Sequence, residues 1–82
     1  MSRTIFLTAS WCTVCSGLYP IIQKLQKEGN KIEIISMDND EGIEFANSLN
    51  VRSVPSIINM RGNDIKVMVG LHNEDEIRSF IK

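Results

Sequence analysis

The strongest constraint on the fold of this chain is a helical apolar pattern that lies between two short apolar runs. Residues 4–8 centre on three consecutive apolar side chains, and such a run is typical of a strand buried on both faces. Residues 31–37 carry three isoleucines and predict a second strand. Between the runs, four apolar residues recur at i, i+3, i+4 and i+7, the spacing of one helix face: Leu18, Ile21, Ile22 and Leu25. Because a strand, a helical crossover and a strand form a right-handed parallel unit, we expect two parallel strands with a helix packed on them.

The helix of this unit has a defined end and one irregularity. Gly29-Asn30 is a natural C-terminal cap. Pro20 lies inside the helix, where it removes one backbone hydrogen bond, so we expect a kink at this position.

The second half of the chain predicts a helix followed by two strands. Residues 38–41 are polar or acidic and favour a helix start, and Asn50 can end that helix in the left-handed conformation. Residues 56–60 and 65–69 are the strand candidates, with a turn at residues 61–64. The helix is expected to bury three residues: Ile43, Ala46 and Leu49.

The fourth strand and a last helix complete the pattern. Apolar residues in 65–69 alternate with Lys66 and Met68, which predicts a half-exposed strand. Asn73 followed by Glu76 resembles a capping box. The helix after it is expected to bury Ile77, Phe80 and Ile81. The order β-α-β-α-β-β-α therefore predicts an α/β fold, a four-stranded mixed sheet flanked by helices on both faces.

Length and charge limit the classes of function. We expect the 82 residues to form one domain, 1–82, around one core. A net charge of -1 gives no reason to expect nucleic-acid binding. No apolar run reaches the roughly 18 residues of a membrane span or the roughly 7–15 residues of a signal-peptide core. We therefore expect a cytoplasmic protein. We also expect it to be a monomer that has no cofactor.

Both cysteines of the chain lie in one C-x-x-C segment, where the first strand gives way to the first helix. The first turn of a helix has unpaired N–H groups and a partial positive charge, and both favour a thiolate. Thiolate is the attacking species in disulfide exchange. Cys12, nearer the helix tip and the solvent, is the predicted nucleophile, and Cys15, one turn deeper, is the predicted resolving thiol. Trp11 would be an apolar wall beside the attacking sulfur and a surface for a partner protein.

Two structural interpretations compete with redox chemistry. A structural zinc site usually needs four ligands, and only Cys12, Cys15 and the lone His72 are candidates, so we expect no metal. A stabilising disulfide over so short a loop contributes about 2 kcal/mol in the chain-entropy model. A cytoplasm would tend to reduce such a bond. We expect His72 to be exposed in the loop before the last helix.

Several segments together resemble the thioredoxin family. Trp11-Cys12-Thr13-Val14-Cys15 is similar to its active site, and Pro20 matches the proline of its active-site helix. Residues 50–56 resemble the segment that carries the family's cis-proline, and residues 61–64 resemble its hairpin turn. Val69-Gly70 resembles the Val-Gly pair before its last helix. The resemblance extends from about residue 3 to residue 82.

The resemblance implies a substrate-binding surface around the cysteines. Val54-Pro55 would be a cis peptide bond facing the Cys12 sulfur, and the Val54 backbone would pair with an incoming extended peptide. An ordinary trans proline at a strand start is the alternative for Pro55. The implied substrate-binding residues are Trp11, Thr13, Val14, Val54, Pro55 and Gly70.

The chain also departs from the family pattern. Thioredoxins begin with an extra strand and helix, for which this chain has no room, and it has glutaredoxin dimensions. Phe6 stands where thioredoxins carry a buried Asp that helps to move the proton of the resolving thiol. Thr13-Val14 is neither the Gly-Pro of thioredoxins nor the Pro-Tyr of glutaredoxins. The glycine pair with which glutaredoxins bind glutathione is reduced to Gly70, and Asp75 is more simply a first-turn helix acid.

The predicted function is therefore a thioredoxin-like electron carrier. It would take electrons from a donor of the thioredoxin reductase type and reduce protein disulfides, such as that of a ribonucleotide reductase. One alternative is a glutaredoxin-type protein that uses glutathione. The other is a redox-inactive binding module with the same fold.

Overall fold

The computed structural model describes residues 2–81, which form four strands and three helices in the predicted order. The boundaries differ from the predicted ones by a few residues, chiefly in the second strand, which is shorter. The elements are β1 (Ser2–Thr8), α1 (Thr13–Lys27), β2 (Glu33–Ser36), α2 (Asp40–Ser48), β3 (Ser56–Arg61), β4 (Asp64–Val69) and α3 (Glu74–Ile81).

The strands form one mixed sheet in the order β2-β1-β3-β4. Strands β1 and β2 are parallel, as expected for strands joined by a helical crossover, while β3 pairs antiparallel with both β1 and β4. Phe6, in the middle of β1, pairs with Ile34 on one side and with Ile57 on the other. The two central strands, β1 and β3, therefore carry the fully buried side chains of the sheet.

Successive residues of a strand point to opposite faces, and the core accordingly consists of two clusters. One cluster joins the sheet to α1 and α3: Phe6, Leu18, Ile22, Leu25, Ile32, Ile57 and Ile77. The other joins the opposite face to α2 and the segment after it: Ile5, Leu7, Ala46, Val51 and Ile58. The prediction of helices on both faces is confirmed.

The prediction that Ile43 is buried is wrong. Ile43 is 39% exposed, and the buried residue on that side of α2 is its neighbour Gly42. A Cβ atom at Gly42 would overlap the backbone carbonyl of Ser36. The first turn of α2 therefore lies directly against the end of β2, and this close approach turns Ile43 outward.

Strand β4 is more exposed than the half-exposed strand that the alternation predicted. Its apolar residues Ile65, Val67 and Val69 are 40–51% exposed, and Met68 is the one that packs on the core. The cause is the topology, because β4 is an edge strand and α2 packs over β2, at the opposite edge.

No helix within residues 2–81 is long and apolar enough to cross a membrane.

The predicted helix ends are confirmed in detail. Asn50 has a φ of 59°, in the left-handed region, and Gly29 has a φ of 103°. The Glu76 backbone N–H donates to Asn73 Oδ1 at 2.8 Å, and the Asn73 N–H donates to Glu76 Oε1 at 3.1 Å. These reciprocal bonds are those of a capping box.

Candidate active site

The two cysteines lie where the loop after β1 enters α1. Cys12 is the N-cap residue of α1, and its Sγ accepts a hydrogen bond from the Cys15 backbone N–H at 3.2 Å. The two side chains form a disulfide, with their Cα atoms 5.3 Å apart. The first turn of α1 contains no acidic residue, so no carboxylate of that turn offsets its positive end.

Burial distinguishes the two sulfurs. Cys15 is 1% exposed and belongs to the buried face of α1, whereas Cys12 is half-buried. A disulfide on another molecule would therefore meet Cys12 first.

An apolar rim surrounds Cys12. Trp11 is 69% exposed and Val14 is 46% exposed, and Thr13 between them in the chain is also exposed. Exposed aromatic and aliphatic side chains beside a reactive group are typical of a contact surface for a partner.

The strand register brings the proline segment to the same end of the sheet as the cysteines. Leu7 of β1 and Val69 of β4 both pair with Ser56, so Pro55 and Gly70 lie beyond the sheet end from which the cysteine loop leaves. The Gly70 N–H donates to the Pro55 carbonyl at 2.9 Å, which joins the two segments.

The Val54–Pro55 peptide bond is cis, and the alternative of a trans proline is wrong. Pro55 is buried, whereas Val54 is half-buried and Ser53 is exposed. The Ser56 hydroxyl donates to the Ser53 carbonyl at 2.6 Å and closes this turn.

A groove of about 520 Å³ opens beside the cysteine pair, and the sequence analysis did not predict that Ser10, Ser36 and Asp38 line it. It is lined by Thr8, Ala9, Ser10, Cys12, Cys15, Ser16, Tyr19, Pro20, Ser36 and Asp38. The signal that could have identified Ser36 and Asp38 is topological. They follow the parallel strand next to β1, and the carboxyl ends of neighbouring parallel strands meet at one edge of a sheet.

Asp38 is the charged residue of this groove. Hydrogen bonds from the Ser36 and Ser10 hydroxyls hold the pKa of the Asp38 carboxyl below its ordinary value of 3.8. The predicted helix start over residues 38–41 is confirmed, since Asn39 caps α2 and the first turn carries Asp40 and Glu41. Asp38 comes immediately before this cap.

Comparisons with known proteins agree with this geometry. A family model for Thioredoxin matches residues 4–82. The thioredoxins of Rickettsia bellii and Listeria monocytogenes are each 31% identical to this chain over 75 residues, 89% of its length, and the match covers 71% and 73% of their own lengths. The chain belongs to the thioredoxin family.

Solved structures of thioredoxins have the same fold. Thioredoxin O2 from Arabidopsis thaliana in its oxidised state superposes with a TM-score of 0.81 at 23% identity, over 99% of this chain and 72% of that one. A mutant thioredoxin from Halobacterium salinarum has a TM-score of 0.77 at 27% identity, over 98% of this chain and 71% of that one.

The family and the bonded cysteine pair together make this chain a thiol–disulfide oxidoreductase. The comparisons favour a thioredoxin over the glutaredoxin alternative. In this family, substrates are protein disulfides and the electrons come from a reductase.

One departure from the thioredoxin pattern lies in the middle of β1, at Phe6. Phe6 is fully buried and makes an edge-to-face contact with Tyr19, with ring centroids 6.3 Å apart. An aromatic ring therefore occupies the position at which the resemblance predicts a buried Asp, and Phe6 supplies no proton acceptor there.

His72 lies in the loop before α3, as predicted, but it is half-buried and not exposed. Its side chain is 28% exposed; Nε2 lies 3.1 Å from the Val69 carbonyl oxygen, and Nδ1 lies 3.4 Å from Glu76 Oε2. The imidazole thus contacts the end of β4 and the first turn of α3. Within residues 2–81, no cluster of three or more His, Cys, Asp or Glu side chains could hold a metal ion.

Proposed function

We propose that Cys12 is the nucleophile and Cys15 the resolving thiol in the reduction of protein disulfides. The observation that carries the assignment is the contrast in burial, since Cys12 is half-buried at the helix tip and Cys15 is 1% exposed. A bulky substrate reaches the first sulfur and not the second. The 5.3 Å between the two Cα atoms keeps the second sulfur within bonding reach of the first.

The reaction consists of two exchanges. In the reduced protein, the Cys12 thiolate attacks one sulfur of the substrate disulfide, and the other substrate sulfur leaves as a thiolate that takes a proton. The Cys15 thiol then loses its proton to water and attacks the Cys12 sulfur of the mixed disulfide. The second substrate thiolate is released, and the Cys12–Cys15 disulfide forms. A reductase later returns two electrons and two protons to this disulfide.

Substrate contacts are assigned to the surface around Cys12. The apolar rim of Trp11, Thr13 and Val14 would pack against the substrate. The Val54 backbone would pair with an extended substrate segment as an edge strand does. Pro55 and Gly70, joined by a hydrogen bond of 2.9 Å, would form the floor under that segment.

The partners are proposed by class. The electron donor is a reductase of the thioredoxin reductase type, and the target is a protein disulfide such as that of a ribonucleotide reductase. A cytoplasm fits this role because its thiols are kept reduced. Glutathione is the competing donor and is tested directly below.

The deciding experiment follows NADPH consumption while a protein disulfide is reduced, with the purified chain as the only intermediary. One reaction contains thioredoxin reductase, and the parallel reaction contains glutathione and its reductase. We expect turnover with thioredoxin reductase and its loss in Cys12→Ser. Turnover only with glutathione would overturn the proposed donor. Full activity of Cys12→Ser would overturn the assignment of the nucleophile.

A second variant tests the resolving role. Cys15→Ser should attack the substrate but not complete the second exchange, so it should accumulate a mixed disulfide through Cys12. Mass spectrometry of the trapped adduct identifies the bonded cysteine. Ser16→Ala is the matched control, because it changes an exposed hydroxyl in the same turn, and it should accumulate no adduct. An adduct on Cys15 in the Cys12→Ser protein, of equal yield, would contradict the assignment.

A further inference from the structure

The carboxylate of Asp38 is bonded to the loop that carries Cys12. The Ser10 backbone N–H donates to both carboxylate oxygens, at 3.0 and 3.2 Å, and the Ser10 hydroxyl donates to Oδ1 at 2.9 Å. Ser10 and Asp38 are 28 residues apart in the chain. The bonds therefore join two segments that the sheet has brought together.

Asp38 is itself held firmly on its own side. The Ser36 hydroxyl donates to Asp38 Oδ2 at 2.8 Å and accepts from the Asp38 backbone N–H at 3.1 Å. The Met37 N–H donates to the Thr8 carbonyl at 2.8 Å, which extends the β1–β2 pairing by one bond. The Asp38 carboxylate therefore has a fixed position relative to the sheet, and its hydrogen bonds can fix the position of Ser10.

Ser10 lies two residues before Cys12, and the contacts continue from one to the other. The Cys12 N–H donates to the Ala9 carbonyl at 3.2 Å, which closes a turn over Ser10 and Trp11. The Cys12 sulfur in turn accepts a hydrogen bond from the Cys15 N–H. A shift of Ser10 would therefore move the turn and the direction of the Cys12 side chain.

We propose that Asp38 is a positioning residue for the redox pair, whose carboxylate holds Ser10 and so keeps the Cys12 sulfur over the Cys15 N–H. This inference rests on the proposed function. It assigns to Asp38 no contact with the substrate and no exchange of protons or electrons. Its role is to fix geometry, and displacement of a reacting group by about 1 Å can lower a rate by as much as 100-fold.

Asp38 can affect the Cys12 thiolate in two ways, through its negative charge and through its hydrogen bonds to Ser10, and a test must distinguish them. Among the described residues, Asp38 is the one charged side chain that lines the groove, and Tyr19 of α1 is the other titratable group there besides the cysteines. Loss of the negative charge of Asp38 would favour the Cys12 thiolate. Loss of the hydrogen bonds between Asp38 and Ser10 would instead weaken the contact of the Cys15 N–H with that thiolate. Asp38→Asn and Asp38→Ala both remove the charge, but only Asn retains an oxygen that accepts from Ser10. Any difference in activity or in the alkylation midpoint between these two variants therefore reports on the hydrogen bonds to Ser10 and not on the charge.

The experiment compares Asp38→Ala with Asp38→Asn in two measurements. The first is kcat/KM for reduction of a protein disulfide, and the second is the pH midpoint for alkylation of Cys12 in the reduced protein. We expect kcat/KM of the Ala variant to be about tenfold below that of the Asn variant, and its alkylation midpoint to be higher. Asp40→Asn is the control, because Asp40 is an exposed acid on α2, and both values should stay at those of the parent protein.

Equal values in the Ala and Asn variants would overturn the proposal, even if the Ala variant melts at a lower temperature. If Asp38→Ala does not fold, Ser10→Ala decides. This variant removes the hydrogen bond from the Ser10 hydroxyl to Asp38 and changes an exposed residue. We expect kcat/KM and the alkylation midpoint to change in the same direction as in Asp38→Ala, but by less. Unchanged values would overturn the proposal. Alkylation of Cys12 needs no substrate turnover, so failure of the proposed function and failure of the anchor are distinguishable.

Discussion

Cys12 Sγ accepts a hydrogen bond from the Cys15 backbone N–H, at 3.2 Å. This contact makes the proposed nucleophile also the N-cap of α1. N-cap side chains ordinarily accept from an N–H group two or three residues ahead, so the sulfur takes the position that an oxygen would hold in Ser or Asp. An acceptor in this position is favoured when it is negatively charged, because the N-terminus of a helix is positive.

The first prediction concerns the acidity of Cys12. In the reduced protein we expect its pKa to lie below the ordinary cysteine value of about 8.5, because the Cys15 N–H and the helix N-terminus stabilise the thiolate. The measurement is the pH dependence of the rate at which Cys12 reacts with iodoacetamide. A midpoint at or above the ordinary value would contradict the prediction.

The second prediction concerns Phe6, which is fully buried in the cluster beneath α1. Restoring the acid that the family carries there, by Phe6→Asp, should lower the free energy of unfolding by about 3 kcal/mol or more, because it leaves a cavity and a buried carboxyl without a partner. Urea unfolding at neutral pH provides the measurement.

Phe6→Leu is the matched control for this substitution. It shortens the side chain without adding a polar group, so we expect a loss of roughly 1–1.5 kcal/mol. Equal losses in the two variants would show that the polar group costs nothing and that water reaches this position.

The third prediction uses two glycines in helices. Gly42→Ala should destabilise the protein by about 1–3 kcal/mol, because the new Cβ would overlap the Ser36 carbonyl, a backbone atom that cannot turn away. Gly17→Ala should stabilise it by about 0.5–1 kcal/mol, since Gly17 is exposed in α1 and has open space around the added Cβ. Thermal unfolding of both variants tests the pair, and a loss of stability in Gly17→Ala would contradict the helix-propensity argument.

The fourth prediction concerns the loss of folding stability at acidic pH. The Arg3 guanidinium, whose Nε lies 2.8 Å from Glu33 Oε2, and the Lys24 ammonium, 3.1 Å from Glu74 Oε2, each lower the pKa of the glutamate below its ordinary value of 4.5. The unfolded chain then binds more protons than the folded one in acid. The stabilisation from these pairs is complete above the unfolded pKa of 4.5 and is lost as the pH falls through the lower folded values.

The measurement for the acid response is the free energy of unfolding at a series of pH values. Both pairs are exposed, so we expect small effects, and Glu33→Gln should make the acid-side slope shallower. High salt should do the same, because it screens exposed charges. An unchanged slope in Glu33→Gln would mean that the Arg3 pair contributes nothing.

The site could be predicted only in part. The sequence predicts the cysteine pair, the apolar rim at Trp11 and the segment at Pro55, because a C-x-x-C at a strand–helix junction is a local signal and the proline segment matches a family pattern. Asp38 was missed because its partner Ser10 lies 28 residues earlier. It is the parallel pairing of β1 and β2, which places the carboxyl ends of both strands at one edge of the sheet, that brings Asp38 to this loop.

The sequence by itself determined the order of the elements, the parallel β1–β2 pair and the caps at Asn50 and Asn73. These features depend on local periodicity and on backbone hydrogen bonds over a few residues. Only the tertiary structure decided that Gly42 is buried in place of Ile43, that the apolar face of β4 stays exposed, and that Asp38 holds the cysteine loop. The physical reason is that periodicity shows which side of an element is apolar, whereas burial and long-range hydrogen bonds depend on which other element comes to cover that side.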